Sequence, residues 1–245
     1  MTLFLTSSPS GCPFEPGPDI PVLDTRNHFV ANLRAVWPDH AVLGLAIAAD
    51  PYAYEQNDEM CRVFLQSFGQ AHLPLIDLVP CDARNQDELS TLLPQSGFVM
   101  LCGGHVPTQN HFFARIGLAG LFHNYHGIVM GVSAGSMNAA RIVYAAPEEP
   151  GEAADPHYSR WLNGLGLTET RILPHYQFIR EHVLDGQKME DIALADSKKR
   201  HFLALPDGSY ILCADGSEAL YGKGWYFADG MMEEINEDED VLPLR

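Results

Sequence analysis

The chain is 245 residues long, 46% hydrophobic and 19% charged, with a formal net charge of −17. That is enough apolar sequence for one large domain with a sizeable core, and it excludes extended disorder. The acidic balance excludes nucleic acid and anionic membrane as main partners, because both select a basic surface.

In chain order, short apolar runs alternate with helical patterns. Leu3 to Thr6 reads as a strand. Thr25 to Trp37 reads as an amphipathic helix with Phe29, Leu33 and Val36 on one face. A buried strand follows at Ala41 to Ala49, then a helix at Tyr54 to Gln70 and a strand at Leu73 to Val79. Gln86 to Leu93 predicts a short helix, and Gly97 to Gly104 a strand ending in paired glycines. Thr108 to Phe122 predicts a helix and Gly127 to Val132 a strand. Beyond Thr170, "RILPHY" reads as one more strand and Ile179 to Asp196 as a helix. The segments "HFLALPDG", "SYILCADG", "SEALYGKG" and "WYFADG" then read as short strands with glycine turns. Continuous apolar strands separated by helices predict an α/β three-layer sandwich around a mostly parallel sheet. The last segments predict an antiparallel β edge. With no repeat and no Gly/Ser linker, residues 1–245 are expected to form a single domain, and the acidic run Glu233 to Asp240 a solvated tail.

The five cysteines (Cys12, Cys61, Cys81, Cys102 and Cys213) are odd in number and form no CxxC, so neither a disulfide framework nor a zinc site is indicated. The N-terminal "MTLFLTSSPSG" has no basic n-region. No stretch approaches the ~20 apolar residues of a membrane span. These features predict a cytoplasmic protein with no metal, no organic cofactor, and neither nucleic acid nor membrane as partner. A homodimer through the β edge or a helix face is an option that no motif specifies.

The chemistry-bearing segment is "GIVMGVSAGSMNAA", Gly127 to Ala140. A serine between two glycines, with an apolar strand before it and a helix-permissive run after it, fits a nucleophile elbow. Ser133 would sit at the carboxyl end of a strand, where α/β sheets place reacting groups. A serine nucleophile needs a base. Among eleven histidines His175 stands out, because "RILPHY" puts it at a strand end; His157, in a Pro-rich loop, is the alternative. For the acid, Glu148, Glu149, Glu152 and Asp155 lie between serine and histidine, and chain order alone does not choose among them. Gly103-Gly104 ends the strand before the next helix, where the Gly104 amide could help hold an oxyanion.

Together, "LFLTSS", "VMLCGG", "GVSAGSMNAA", "LPHY" and "LALPDGSYI" resemble the peptidase E family of serine peptidases, which also includes the cyanophycinases. The resemblance implies a fold similar to class I glutamine amidotransferases, with serine in place of cysteine at the elbow. It places the nucleophile on Ser133, the base on His175 and the acid on Glu148, fifteen residues beyond the serine, where the family implies Asp. It places the oxyanion donors on Gly104 and Ala134. The family's third glycine and asparagine are replaced here by His105 and Val106, so His105 and Gln109 are expected to line the substrate pocket. Arg180, Arg171 or Arg115 could supply a cation for an aspartyl side chain, and Arg180 is carried forward. The expected activity is hydrolysis of dipeptides or short peptides, with N-terminal Asp as the family's preference. Two other readings share parts of the pattern: an α/β-hydrolase esterase, and a non-catalytic binding protein on the amidotransferase-like fold.

Overall fold

The computed structural model describes residues 1–10 and 21–244. Five apolar segments form strands β1 (Thr2–Thr6), β2 (Val42–Ile47), β3 (Leu75–Cys81), β4 (Ser96–Leu101) and β5 (Ile128–Val132). Helices α1 (Phe29–Val36), α2 (Tyr54–Gln70), α3 (Leu89–Leu92), α4 (Val106–Arg115) and α5 (Leu118–Leu121) run between them. After β5 come α6 (Ala134–Ala139), the hairpin β6 (Ile142–Tyr144) and β7 (Trp161–Asn163), then β8 (Ile172–Leu173) and α7 (Tyr176–Ile179). A small hairpin, β9 (Val183–Leu184) and β10 (Gln187–Lys188), leads into α8 (Met189–Ser197). The chain ends in β11 (Phe202–Ala204), β12 (Tyr210–Ala214), β13 (Ser217–Tyr221), β14 (Gly224–Ala228), β15 (Met231–Asn236) and β16 (Val241–Pro243).

The main sheet has the order β16-β13-β12-β1-β5-β4-β2-β3. Strands β1 to β5 are mutually parallel, and β12, β13 and β16 extend the β1 edge antiparallel. Strand periodicity of two sorts side chains to the two faces. Leu5, Ile47, Leu101 and Val129 meet Phe112, Leu118 and Met137 on one side. Phe4, Ala46, Phe98, Met100 and Met130 meet Phe29, Leu33, Phe64 and Phe68 on the other. The result is the α/β three-layer sandwich read from the sequence. A second sheet, β15-β14-β11-β8, has its own core of Tyr144, Tyr176, Phe202 and Phe227.

Three expectations change. The helix expected over Ile179 to Asp196 is a hairpin followed by the shorter α8, because Asp185 and Gly186 both take positive φ (51° and 77°) and turn β9 back onto β10. The Thr108 to Phe122 helix breaks at Gly117 (φ 63°) into α4 and α5. The acidic run from residue 233 is not a tail. Glu233 and Glu234 lie in β15 opposite Tyr226 and Trp225, and the chain continues into β16, paired with β13. Acidic side chains on the exposed face of an edge strand also discourage unwanted strand addition. Among the described residues, no helix is long and apolar enough to cross a membrane.

Candidate active site

The carboxyl ends of the parallel strands share one edge, and the chemistry gathers there. Ser133 follows β5 and carries φ 49° and ψ −113°, a conformation L-residues rarely hold. The flanking glycines make this turn possible. A Cβ on Gly131 would lie 2.6 Å from Ser136 Cα, and one on Gly135 would collide with the Leu101 carbonyl. The Ser133 amide is spent on Thr6 O at 3.1 Å. Ala134 begins α6, where first-turn amides have no intrahelical acceptor. Gly103 faces the nucleophile: a Cβ built on it would stand 3.5 Å from Ser133 Cβ.

His175 arrives from the second sheet. Strand β8 ends at Leu173, and parallel to it β11 ends at Ala204, with Ala204 opposite Leu173. Past these ends, β8 runs through Pro174 to His175 and β11 through Leu205-Pro206 to Asp207. The pairing therefore delivers the two side chains together. His175 Nδ1 meets Asp207 Oδ1 at 2.7 Å. Ser7, the residue after β1, ties them down: its hydroxyl donates to Asp207 Oδ1 at 2.6 Å and accepts the His175 amide at 2.7 Å. The Asp207 amide donates to Gln177 Oε1. Burial opposes the charge of Asp207, but the hydrogen bond and proximity of His175, with the Ser7 hydroxyl, outweigh it and hold the carboxyl below the usual range. With Nδ1 engaged, Nε2 is the ring nitrogen left to serve Ser133. Ser133 and His175 make no direct hydrogen bond in this resting geometry; contacts of this kind tighten when substrate binds.

The carboxylate on His175 is therefore that of Asp207, and not one of the four acids between serine and histidine. Glu148 occupies the neighbouring mouth. Although the residue as a whole is exposed, its carboxyl is crowded, and burial pushes it up to about 7. Nearby His105, the Val106 amide and His175 oppose that rise, and Glu152 adds to it. Glu152 caps the amides of Glu148 and Glu149 at 2.8 and 3.0 Å and accepts from His105 Nε2 at 2.9 Å. His105 in turn meets Thr108 Oγ1 at 2.8 Å through Nδ1, which places it on the rim. Glu149 joins His105 and Glu152 in a group whose ligand atoms lie within 4.8 Å of one another. His105 and Glu152 already satisfy each other there.

Two expected pocket residues are engaged by neighbours within the fold. Gln109 is fully buried, donating to Cys102 O at 2.6 Å and accepting from Asn138 at 3.0 Å, so it braces the end of β4 against α6 and does not face a substrate. Arg180 caps α7, stands over the Tyr176 ring and pairs with Glu181 at 3.5 Å. Arg171 is engaged with His201. The described cysteines are free thiols; Cys102 lies fully in the core, where burial holds its thiol well above the ordinary range. Cys12 lies outside the described residues.

A strained serine flanked by glycines at a strand end, with a histidine–carboxylate pair beside it, is the constellation of a serine hydrolase. A family model described as peptidase family S51 matches residues 47–220. The chain belongs to peptidase family S51. It is thus a member of a serine peptidase family, and residues 47–220 take in the elbow, the histidine and Asp207. In fold, it is similar to a crystal structure of a candidate peptidase E protein from Listeria monocytogenes EGD-e, at 13% identity and a TM-score of 0.60, over 96% of this chain and 98% of the other. A comparison with curated proteins found no match.

Proposed function

We propose that the S51 member is a serine exopeptidase acting on short peptides through Ser133, His175 and Asp207. The observation that carries this reading is the His175–Asp207 pair at 2.7 Å, tied through Ser7 to the end of β1, the strand paired with the one that leads into the strained Ser133. Ser133 Oγ attacks the scissile carbonyl while His175 Nε2 takes its proton. Asp207 fixes the imidazole tautomer and balances the imidazolium that forms. The amides of Gly104 and Ala134 receive the oxyanion, an arrangement in which losing one donor costs about 3 kcal/mol. Collapse of the tetrahedral intermediate breaks the C–N bond, and His175 returns the proton to the leaving amine. Water, deprotonated by the same imidazole, then releases the acyl group and restores Ser133. No step calls for a metal or organic cofactor.

Support for an exopeptidase comes from the rim. Glu148 and Glu152 lie together beside His105, with Glu148 also close enough to His175 to feel its charge, and an acidic mouth of this kind would attract a substrate's free α-amine. A family-like preference for N-terminal Asp would need a cation at the acyl side, and Arg180 as it stands is committed to Tyr176 and Glu181. The test is hydrolysis of a panel of di- to tetrapeptides, N-terminal Asp included, by wild type and Ser133→Ala. Cleavage by wild type alone supports the reading. Cleavage of esters with no peptide turned over transfers it to an esterase.

A further inference from the structure

Between α4 and the loop after β2 lies an open cavity of about 350 Å³ that the proposed chemistry leaves unused. Its walls include Asp50 and Tyr52 from the loop after β2, and Thr108, His111, Phe112 and Arg115 from one face of α4. A short run of neighbouring residues leads from Ser133 to this cavity. Gly103 faces Ser133, and a Cβ on Gly104 would touch Ala49 Cβ at 2.5 Å, so Asp50, the next residue, stands at the cavity's near end. Arg115 ends α4 and stands at the far end. Its guanidinium lies 5.2 Å from the Phe112 ring and 5.6 Å from the Tyr52 ring. It donates to Tyr52 Oη at 2.8 Å and Gln86 Oε1 at 3.1 Å. Among the described residues, no carboxylate pairs with it. In a chain with 32 acidic and only 15 basic residues, a cation held by neutral acceptors on a cavity wall is available to an outside anion.

We infer that this cavity is the subsite for the leaving side of the substrate, taking a peptide of about three residues that ends in a free carboxylate held by Arg115. The inference rests on the peptidase reading and deepens it. Polarity sets the direction. The acid at the near end suits the amine that forms when the C–N bond breaks, and the cation at the far end suits the terminal carboxylate. Distance sets the length. At about 1.5 Å of rise per residue, Arg115 lies roughly 10 Å along α4 from Thr108, on the cavity wall in the helix's first turn. An extended peptide advances about 3.4 Å per residue, so about three residues span the gap. The rings of Tyr52 and Phe112 line the path between the two charges and suit apolar side chains on the way.

Trialanine, trialanine amide and dialanine are the probes, titrated by NMR into Ser133→Ala protein and into the same protein carrying Arg115→Gln. A binding readout needs no turnover. Trialanine is expected to bind about tenfold tighter than its amide and than dialanine, and Arg115→Gln to abolish that difference. Arg115→Lys, which keeps the charge, should retain part of it. If no peptide binds, or if the acid-over-amide ratio survives Arg115→Gln, the inference is overturned. Trialanine binding through Arg115 without cleavage of any peptide by wild type would uphold the carboxylate site and remove the peptidase reading. Cleavage by wild type with no dependence on Arg115 would do the reverse.

Discussion

At the scale of single residues, the site turns on which carboxylate serves His175 and what holds it there. Ser7 is a positioning residue, bonded to both the Asp207 carboxylate and the His175 amide. Its removal takes a stabilising donor from Asp207, whose pKa must then rise. We expect Ser7→Ala to lower kcat by about tenfold with KM little changed, and to move the acid limb of the kcat profile to higher pH. Ser7→Thr, which keeps the hydroxyl, should restore the limb; a purely structural role for Ser7 would not move it. Glu148 makes a second prediction. Its native pKa of about 7 lies above that of an unfolded glutamate, about 4.3, so the native chain holds this proton more tightly. That contribution is complete below pH ~4 and is lost as pH rises through about 7. Melting temperatures of wild type and Glu148→Gln should therefore shift in the variant's favour between pH 5 and pH 8. A gap that stays constant, or moves the other way, would contradict the assignment.

At the scale of elements, the turn that carries Ser133 depends on close approach. Gly135 brings α6 against the Leu101 carbonyl at the end of β4, and any side chain there must push the two apart. Gly135→Ala is expected to cost about 3 kcal/mol in denaturant unfolding and to remove activity, since the same displacement moves Ser133. An alanine variant of wild-type stability would show that α6 is not held this closely. The parallel core was legible in the sequence because buried strands write themselves as unbroken apolar runs: "AVLGLAIAA", "GFVMLCGG" and "GIVMGV" all became strands where expected. The strand-to-helix turn at Ser133 was legible for a related reason, since glycines on both sides of a serine at a strand end permit a sharp turn. Asp207 was not. Acid and base come from strands about thirty residues apart, and only the β8–β11 pairing brings them together. The repeated Leu-Pro before His175 and before Asp207 was the one local sign, and it becomes meaningful only once the two strands are known to be neighbours. The β9–β10 hairpin was hidden in an amphipathic pattern that Asp185-Gly186 interrupts.

At the scale of the whole molecule, charge is the dominant feature. With 32 acidic against 15 basic residues and a net charge of −17, the folded chain repels itself. Salt screens such repulsion over about 8–10 Å at physiological strength. The melting temperature at pH 8 should therefore rise by several degrees between low salt and about 0.15 M NaCl. A fall would mean that the ion pairs of the fold outweigh the repulsion. The smaller sheet packs Ile172 and Leu203 into the core of the main sheet, and the proposed site draws on both: Ser133 and Ser7 come from the main sheet, His175 and Asp207 from the smaller one. Activity is thus a direct report on how the two sheets stand together.

The most direct measurement is covalent labelling with a fluorophosphonate, followed by peptide mass spectrometry, because it needs no knowledge of the substrate. The account predicts one adduct, on Ser133, formed slower by about 10³-fold in His175→Ala and Asp207→Asn and at near wild-type rate in Glu148→Gln. An unlabelled Ser133, or labelling that survives Asp207→Asn and is lost in Glu148→Gln, would contradict it.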